Sequence, residues 1–144
     1  MVYITRRAVF SASHRLFNPK FSQDENEQIY DKCNNYWGHG HNYILEVTVC
    51  GIPNPDTGYL IDLKLLKKII NDEIISKVDH KHLNIDVEMF SGIITSLENI
   101  AAIFWKRLEN KIPNAKLYRI KIFETENNWV EYYGEAFEIK TFNK

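Results

Sequence analysis

Apolar and β-branched residues crowd the start of the chain, where Val2 to Ser13 is rich in Val, Ile, Tyr and Phe and reads as a first strand. Ser22-Gln23-Asp24-Glu25 predicts the cap of a short helix running to about Tyr30. Asn42 to Gly51 is a second segment of high strand propensity. Pro53 to Gly58 is a turn by its Pro, Asn, Asp and Gly content, and Tyr59-Leu60-Ile61 returns briefly to extended chain. Asp62 is placed to cap a helix reaching about Ser76, with Leu63, Leu66, Ile69, Ile70 and Ile74 at helical spacing. A second helix begins near Thr95 or Ser96, where Thr95-Ser96-Leu97-Glu98 fits a capping box and Ile100, Ile103, Phe104 and Leu108 form the apolar stripe. Lys116 to Thr125 and Trp129 to Lys140 read as two further strands joined by a tight hairpin at Asn127-Asn128. The order β-β-α-α-β-β predicts an α+β fold, a four-stranded antiparallel sheet with two helices on one face. Such a sheet leaves two edges bare, and closing them against other copies is one route to an oligomer.

No internal repeat, low-complexity tract or linker interrupts this pattern. The 144 residues, 44% apolar and 26% charged, therefore predict a single domain over 1–144. A formal net charge of −1 argues against a nucleic-acid-coating surface or an anionic-membrane anchor. No apolar stretch approaches the ~20 residues of a membrane span, and Arg6 and Arg7 interrupt the one candidate leader. Two cysteines in unlike settings do not suggest a disulfide, so a reducing, cytoplasmic location is expected.

The chemistry concentrates in Cys33-Asn34-Asn35-Tyr36-Trp37-Gly38-His39-Gly40-His41-Asn42-Tyr43. Residues two apart on a strand face the same way, so His39 and His41 can present two imidazoles to one ion. His14, ending the first strand, could complete the set. Three nitrogen ligands with an open fourth position describe a catalytic zinc site, with Cys33 left free to act as a base. Two bland alternatives stand beside this: a pair of exposed strand histidines, or a closed structural knuckle. Closed sites commonly draw on C-x-x-C pairs, and none occurs here. Cys50 ends a buried-looking strand and reads as a small hydrophobe. Asp79-His80 is either an exposed turn pair or a carboxylate orienting a base. Glu124 follows the apolar run Ile120-Lys121-Ile122-Phe123. A ligand offering two N–H donors would satisfy it if buried; otherwise it faces water at the strand end.

These segments resemble the 6-pyruvoyl-tetrahydropterin synthase family. The likeness runs through Phe10-Ser11-Ala12-Ser13-His14-Arg15-Leu16, Lys32-Cys33-Asn34-Asn35, Gly38-His39-Gly40-His41-Asn42-Tyr43 and Val78-Asp79-His80-Lys81-His82-Leu83. It continues in Glu98-Asn99-Ile100-Ala101 and Phe123-Glu124-Thr125-Glu126-Asn127-Asn128. The resemblance implies zinc on His14, His39 and His41, catalysis by Cys33, Asp79 and His80, and Glu124 anchoring the pterin. Ser96 would supply a substrate-binding hydroxyl where the family often has two threonines, Leu97 offering only backbone. The implied fold is the tunnelling fold, three subunits' sheets closing a barrel and two trimers stacking to a homohexamer. Sites would lie at subunit boundaries, Cys33 of one chain approaching Asp79 and His80 of another.

The implied reaction converts 7,8-dihydroneopterin triphosphate to 6-pyruvoyl-tetrahydropterin, eliminating triphosphate with an internal redox change, in tetrahydrobiopterin biosynthesis. Arg15, Lys32 and Lys81 are candidates for triphosphate contact. The related 6-carboxy-tetrahydropterin synthases typically leave three residues between the cysteine and His-Gly-His, whereas five intervene here. That spacing favours the pyruvoyl enzyme. Retro-aldol cleavage of the dihydroneopterin side chain and a non-enzymatic zinc-stabilised interaction module are the rival functions.

Overall fold

A computed structural model describes residues 1–143. Strand β1 (Val2–His14) pairs antiparallel with β2 (His39–Gly51) along an unbroken ladder from Val2↔Gly51 to His14↔His39. Between them lies α1 (Gln23–Tyr30), capped as predicted and by a full capping box: Glu25 N–H donates to Ser22 Oγ and Ser22 N–H to the Glu25 carboxylate. A 3₁₀ turn over Asp31–Asn34 follows and carries Cys33.

Asp62 caps α2 (Leu63–Ile70), its carboxylate accepting from Lys64 N–H at 2.8 Å. The helix passes through a π turn over Asn71–Ile75 into α3 (Ser76–Val78), so the single helix expected to Ser76 is present with a change of pitch. Then come β3 (Lys81–His82), α4 (Leu83–Asp86), α5 (Leu97–Leu108), β4 (Lys116–Phe123) and β5 (Trp129–Tyr132). Ser96 is the N-cap of α5 and accepts from Asn99 N–H, so the box expected over Thr95–Glu98 does not form. The cap falls one residue later, its N3 residue is Asn99, and the Thr95 hydroxyl turns to the Arg15 carbonyl and Asn84 instead.

The expected four-stranded antiparallel sheet is corrected: five strands in the order β3-β1-β2-β4-β5 form a mixed sheet. β3 lies parallel to β1 over Ala12↔Lys81 and Ser13↔His82. The last strand is also shorter than expected, ending at Tyr132, because Gly134 turns the chain at φ +91°. The β4–β5 connection is a five-residue loop rather than a two-residue turn. In it the Thr125 hydroxyl accepts from the N–H groups of Asn127 and Asn128.

One face of the sheet buries Phe10, Tyr43, Leu45, Val47, Ile120 and Ile122. These pack with Leu66, Ile70 and Ile74 of the second helical segment and Ile100, Phe104 and Leu108 of α5. At roughly 1.5–3 kcal/mol for each fully buried large apolar side chain, this layer dominates the stability of the sheet. The opposite face is polar and ion-paired. Glu46 lies 4.0 Å from Arg7 and 3.7 Å from Arg119; Glu131 lies 3.3 Å from Arg119 and 3.2 Å from Lys121. Among the described residues, no helix is long and apolar enough to cross a membrane.

Candidate metal centre and adjoining cavities

Strand alternation and ladder register assemble the three histidines. His14 stands directly opposite His39, and His41 follows two residues on along the same face of β2. The ring centroids are 4.7 Å apart for His14–His39, 4.8 Å for His39–His41 and 5.4 Å for His14–His41. The strand begins at His39 rather than at Asn42, which is why both imidazoles share a face.

His14 is buried, and its Nδ1 lies 2.8 Å from the Thr95 carbonyl. A carbonyl can only accept, so Nδ1 carries the proton and Nε2 keeps its lone pair. Among the described residues, His14 Nε2, His39 Nδ1 and His41 Nε2 are all buried without a hydrogen-bond partner. Orphaned buried polar atoms are rare in folded proteins, and three that converge call for a shared partner. Glu124 joins them: Oε1 stands 3.4 Å from both His14 Nε2 and His41 Nε2, in ion-pair range without a directed hydrogen bond. One ligand atom from each of the four residues lies within 4.8 Å of every other, a group able to hold a metal ion. Three imidazoles and one carboxylate suit a borderline divalent ion such as zinc.

The electrostatics agree with neutral ligands. Burial, reinforced by His14 and His41, holds the His39 imidazole below its ordinary value. Burial likewise lowers His41, although Glu124 works against it. The Glu124 carboxyl is held below its usual range, chiefly by His14.

Two cavities meet at Glu124. One, of about 450 Å³, is lined by Cys33, Ser96, Glu98, Glu124 and Trp129 among others. The other, of about 830 Å³, is lined by His41, Tyr43, Asp79, His80 and Glu124 among others. The structure thus brings Cys33, Ser96 and Glu124 together, and separately His41, Asp79, His80 and Glu124. Cys33 does not line the cavity of Asp79 and His80 within this chain. Burial, then Glu124 and Asp31, push the Cys33 thiol up, so in the free chain it stays protonated.

Asp79 and His80 are clamped to β1. Ser11 N–H donates to Asp79 Oδ1 (2.9 Å) and His80 N–H donates to the Ser11 carbonyl (2.6 Å). The same Oδ1 holds His80 Nδ1 at 3.0 Å, with His80 in the left-handed region at φ +59°. The Asp79 carboxyl lies below its ordinary range, first because of the Ser11 N–H and then because of His80.

Gly38 sets the entry to β2. It sits at φ +81°, and a Cβ there would stand 2.9 Å from both the His14 carbonyl and His82 Nε2. Arg15, considered for triphosphate contact, gives its Nε to the Asn34 carbonyl and lies over Phe17. It faces a different cavity, with Tyr36, Trp37 and His82. Sequence reasoning missed Thr95, whose contribution is a backbone carbonyl, and Ser11, which acts through its backbone. It also missed Tyr43, which the two-residue period through His39 and His41 would have indicated.

The family model for 6-pyruvoyl tetrahydropterin synthase matches residues 3–135. A 6-pyruvoyl tetrahydrobiopterin synthase of Dictyostelium discoideum is 46% identical over 136 residues, covering 93% of this chain and 97% of that one. Its counterpart from Homo sapiens is 44% identical over 132 residues, covering 92% and 91%. The solved Caenorhabditis elegans 6-pyruvoyl tetrahydropterin synthase superposes with a TM-score of 0.87 at 38% identity, covering 93% of this chain and 96% of that chain. Sequence likeness along nearly the whole length, a shared α+β architecture and the convergent histidines agree: the chain belongs to the 6-pyruvoyl tetrahydropterin synthase family.

Proposed function

We propose that this protein is an enzyme converting 7,8-dihydroneopterin triphosphate to 6-pyruvoyl-tetrahydropterin with elimination of triphosphate, dependent on zinc. The observation that carries the reading is the convergence of three unpartnered buried imidazole nitrogens beside a carboxylate and a cysteine-lined cavity. His14, His39 and His41 would hold the zinc through their unpartnered ring nitrogens. Bound there, zinc would supply Lewis-acid polarisation of the pterin side-chain hydroxyls and make the neighbouring C–H bonds more acidic.

Glu124 anchors the pterin amino and ring N–H groups, a pairing that satisfies a half-buried carboxylate with two donors. Cys33 takes the side-chain proton. Hydrogen bonds from the pterin N–H groups disperse the Glu124 charge and so weaken the second of the causes that raise the Cys33 thiol. Ser96 uses its oxygen as the α5 cap acceptor, so its hydroxyl proton is available to a ligand. Asp79 fixes His80 through Nδ1 and leaves Nε2 to carry a proton.

Cys33 and the Asp79–His80 pair line separate cavities, which favours sites completed between copies of a single-domain chain. The outer edge of β1 supports this, since β3 covers only Ala12 and Ser13. The polar, ion-paired sheet face also suits the wet interior of a barrel closed by three sheets, with two such trimers making a hexamer. Two free cysteines fit a reducing, cytoplasmic setting. The test is mass-spectrometric identification of the product from dihydroneopterin triphosphate with zinc-loaded protein and no nicotinamide or flavin. A pyruvoyl product with released triphosphate is expected; a hydroxymethyl pterin would assign side-chain cleavage instead.

A further inference from the structure

Among the described residues, Tyr43 is the one large polar side chain buried beside the histidines that the proposed chemistry leaves without a task. It is fully buried, two residues beyond His41 on the same face of β2. Its ring stacks on Phe10 at 4.8 Å and 12°. It also meets His41 edge-on at 5.5 Å and His14 at 6.1 Å. Its hydroxyl has no hydrogen-bond partner among the described residues. The ladder pairs Ile44 with Phe123, so Tyr43 and Glu124 are the next residues on adjacent strands, on the face that carries the histidines. Both also line the cavity that reaches Asp79 and His80.

An unpaired buried hydroxyl costs the fold the hydration it has lost, and phenylalanine would fill the same space without that cost. Such local expense is a common mark of a functional position. In the free chain the Glu124 carboxylate leans on His14 and His41. To anchor a ligand it must leave them, and its remaining lone pairs then need a donor.

We propose that Tyr43 is a positioning residue, its ring fixing the imidazoles of His14 and His41 and its hydroxyl donating to Glu124 once that carboxylate engages a pterin. The inference deepens the functional reading above and rests on its assignment of Glu124. No bond is made or broken by Tyr43.

The test is Tyr43→Phe in the full chain, with three readouts: zinc content, thermal midpoint without ligand, and affinity for biopterin, a non-reacting probe followed by its fluorescence. Zinc content should stay unchanged. The midpoint should rise by about 2–4 °C as the orphan hydroxyl is removed. Biopterin should bind roughly tenfold more weakly, the order expected for losing one hydrogen bond to a charged group. In a Glu124→Gln background the same substitution should cost no further affinity.

An unchanged biopterin affinity in Tyr43→Phe overturns the inference. So does a lowered midpoint, which would mean the hydroxyl is already bonded in the free chain, and so does an additive loss in the double variant. Wild-type protein that binds biopterin without converting dihydroneopterin triphosphate would sink the functional reading and leave the Tyr43 result standing. Wild-type protein that binds no pterin would remove both.

Discussion

Stripping the proposed zinc is the sharpest perturbation of the His14–His39–His41 cluster, and its size can be worked from the structure. Each buried, unpartnered nitrogen carries a penalty of about 1–3 kcal/mol, and there are three. The donors are already held by the ladder, with His14 pinned by Thr95, so little ordering cost opposes binding. At free zinc a thousandfold above its dissociation constant, linkage gives about 4 kcal/mol of stabilisation. For a chain of this size that corresponds to a midpoint roughly 8–16 °C higher than in the stripped protein. The assay is calorimetry on chelator-treated protein before and after zinc is restored, with metal content measured in parallel. His39→Ala should lose stoichiometric zinc and nearly all of the shift. Because the apolar layer under the sheet includes none of the ligands, the stripped chain should keep its far-ultraviolet circular dichroism at 25 °C. A midpoint that zinc does not move would refute the cluster as a metal site. Unfolding on chelation would instead make it a structural one.

Three further outcomes are expected. Cys33→Ala should keep zinc and fold but lose turnover, whereas Cys50→Ala should change stability at most; undiminished activity in Cys33→Ala would remove the base role. The Ser11 amide resonance should titrate with Asp79 at a midpoint below the ordinary carboxylate value of about 3.9. A carboxyl depressed by folding stabilises at higher pH and loses that contribution as pH falls through its folded value, so the clamp should persist through neutrality and release only in acid. Mixing Cys33→Ala chains with His80→Ala chains should restore part of the activity if sites are shared, and an absence of rescue after verified subunit exchange would argue for sites within one chain.

Much of the site was legible because it depends on local periodicity. The His39-Gly40-His41 spacing and the apolar stripes are consequences of short-range geometry, and Ser22 and Asp62 cap their helices as their neighbours imply. What escaped depends on tertiary contacts. β3 is two residues long and exists only because Lys81 and His82 meet Ala12 and Ser13 across the fold. The segment after Tyr132 reads as strand because Phe137 and Ile139 keep an alternating pattern, but Ile139 packs against the core by another path after the Gly134 turn. Asn127-Asn128 suggests a two-residue turn, yet the Thr125 hydroxyl organises a longer loop. The approach of Glu124 to the histidines follows from β2–β4 pairing, which no local pattern encodes.

The long β1–β2 ladder has a consequence for folding fidelity. A slip of one residue between these strands would turn His14 to the opposite face from His39 and His41. A slip of two would keep the face but carry His14 about 6.6 Å along the strand, beyond the reach of a shared ion. The ion site therefore exists in one alignment of the two strands only. Under the proposed zinc assignment, metal stoichiometry would double as a count of correctly aligned chains, and zinc present during refolding would favour that alignment over its near neighbours by mass action.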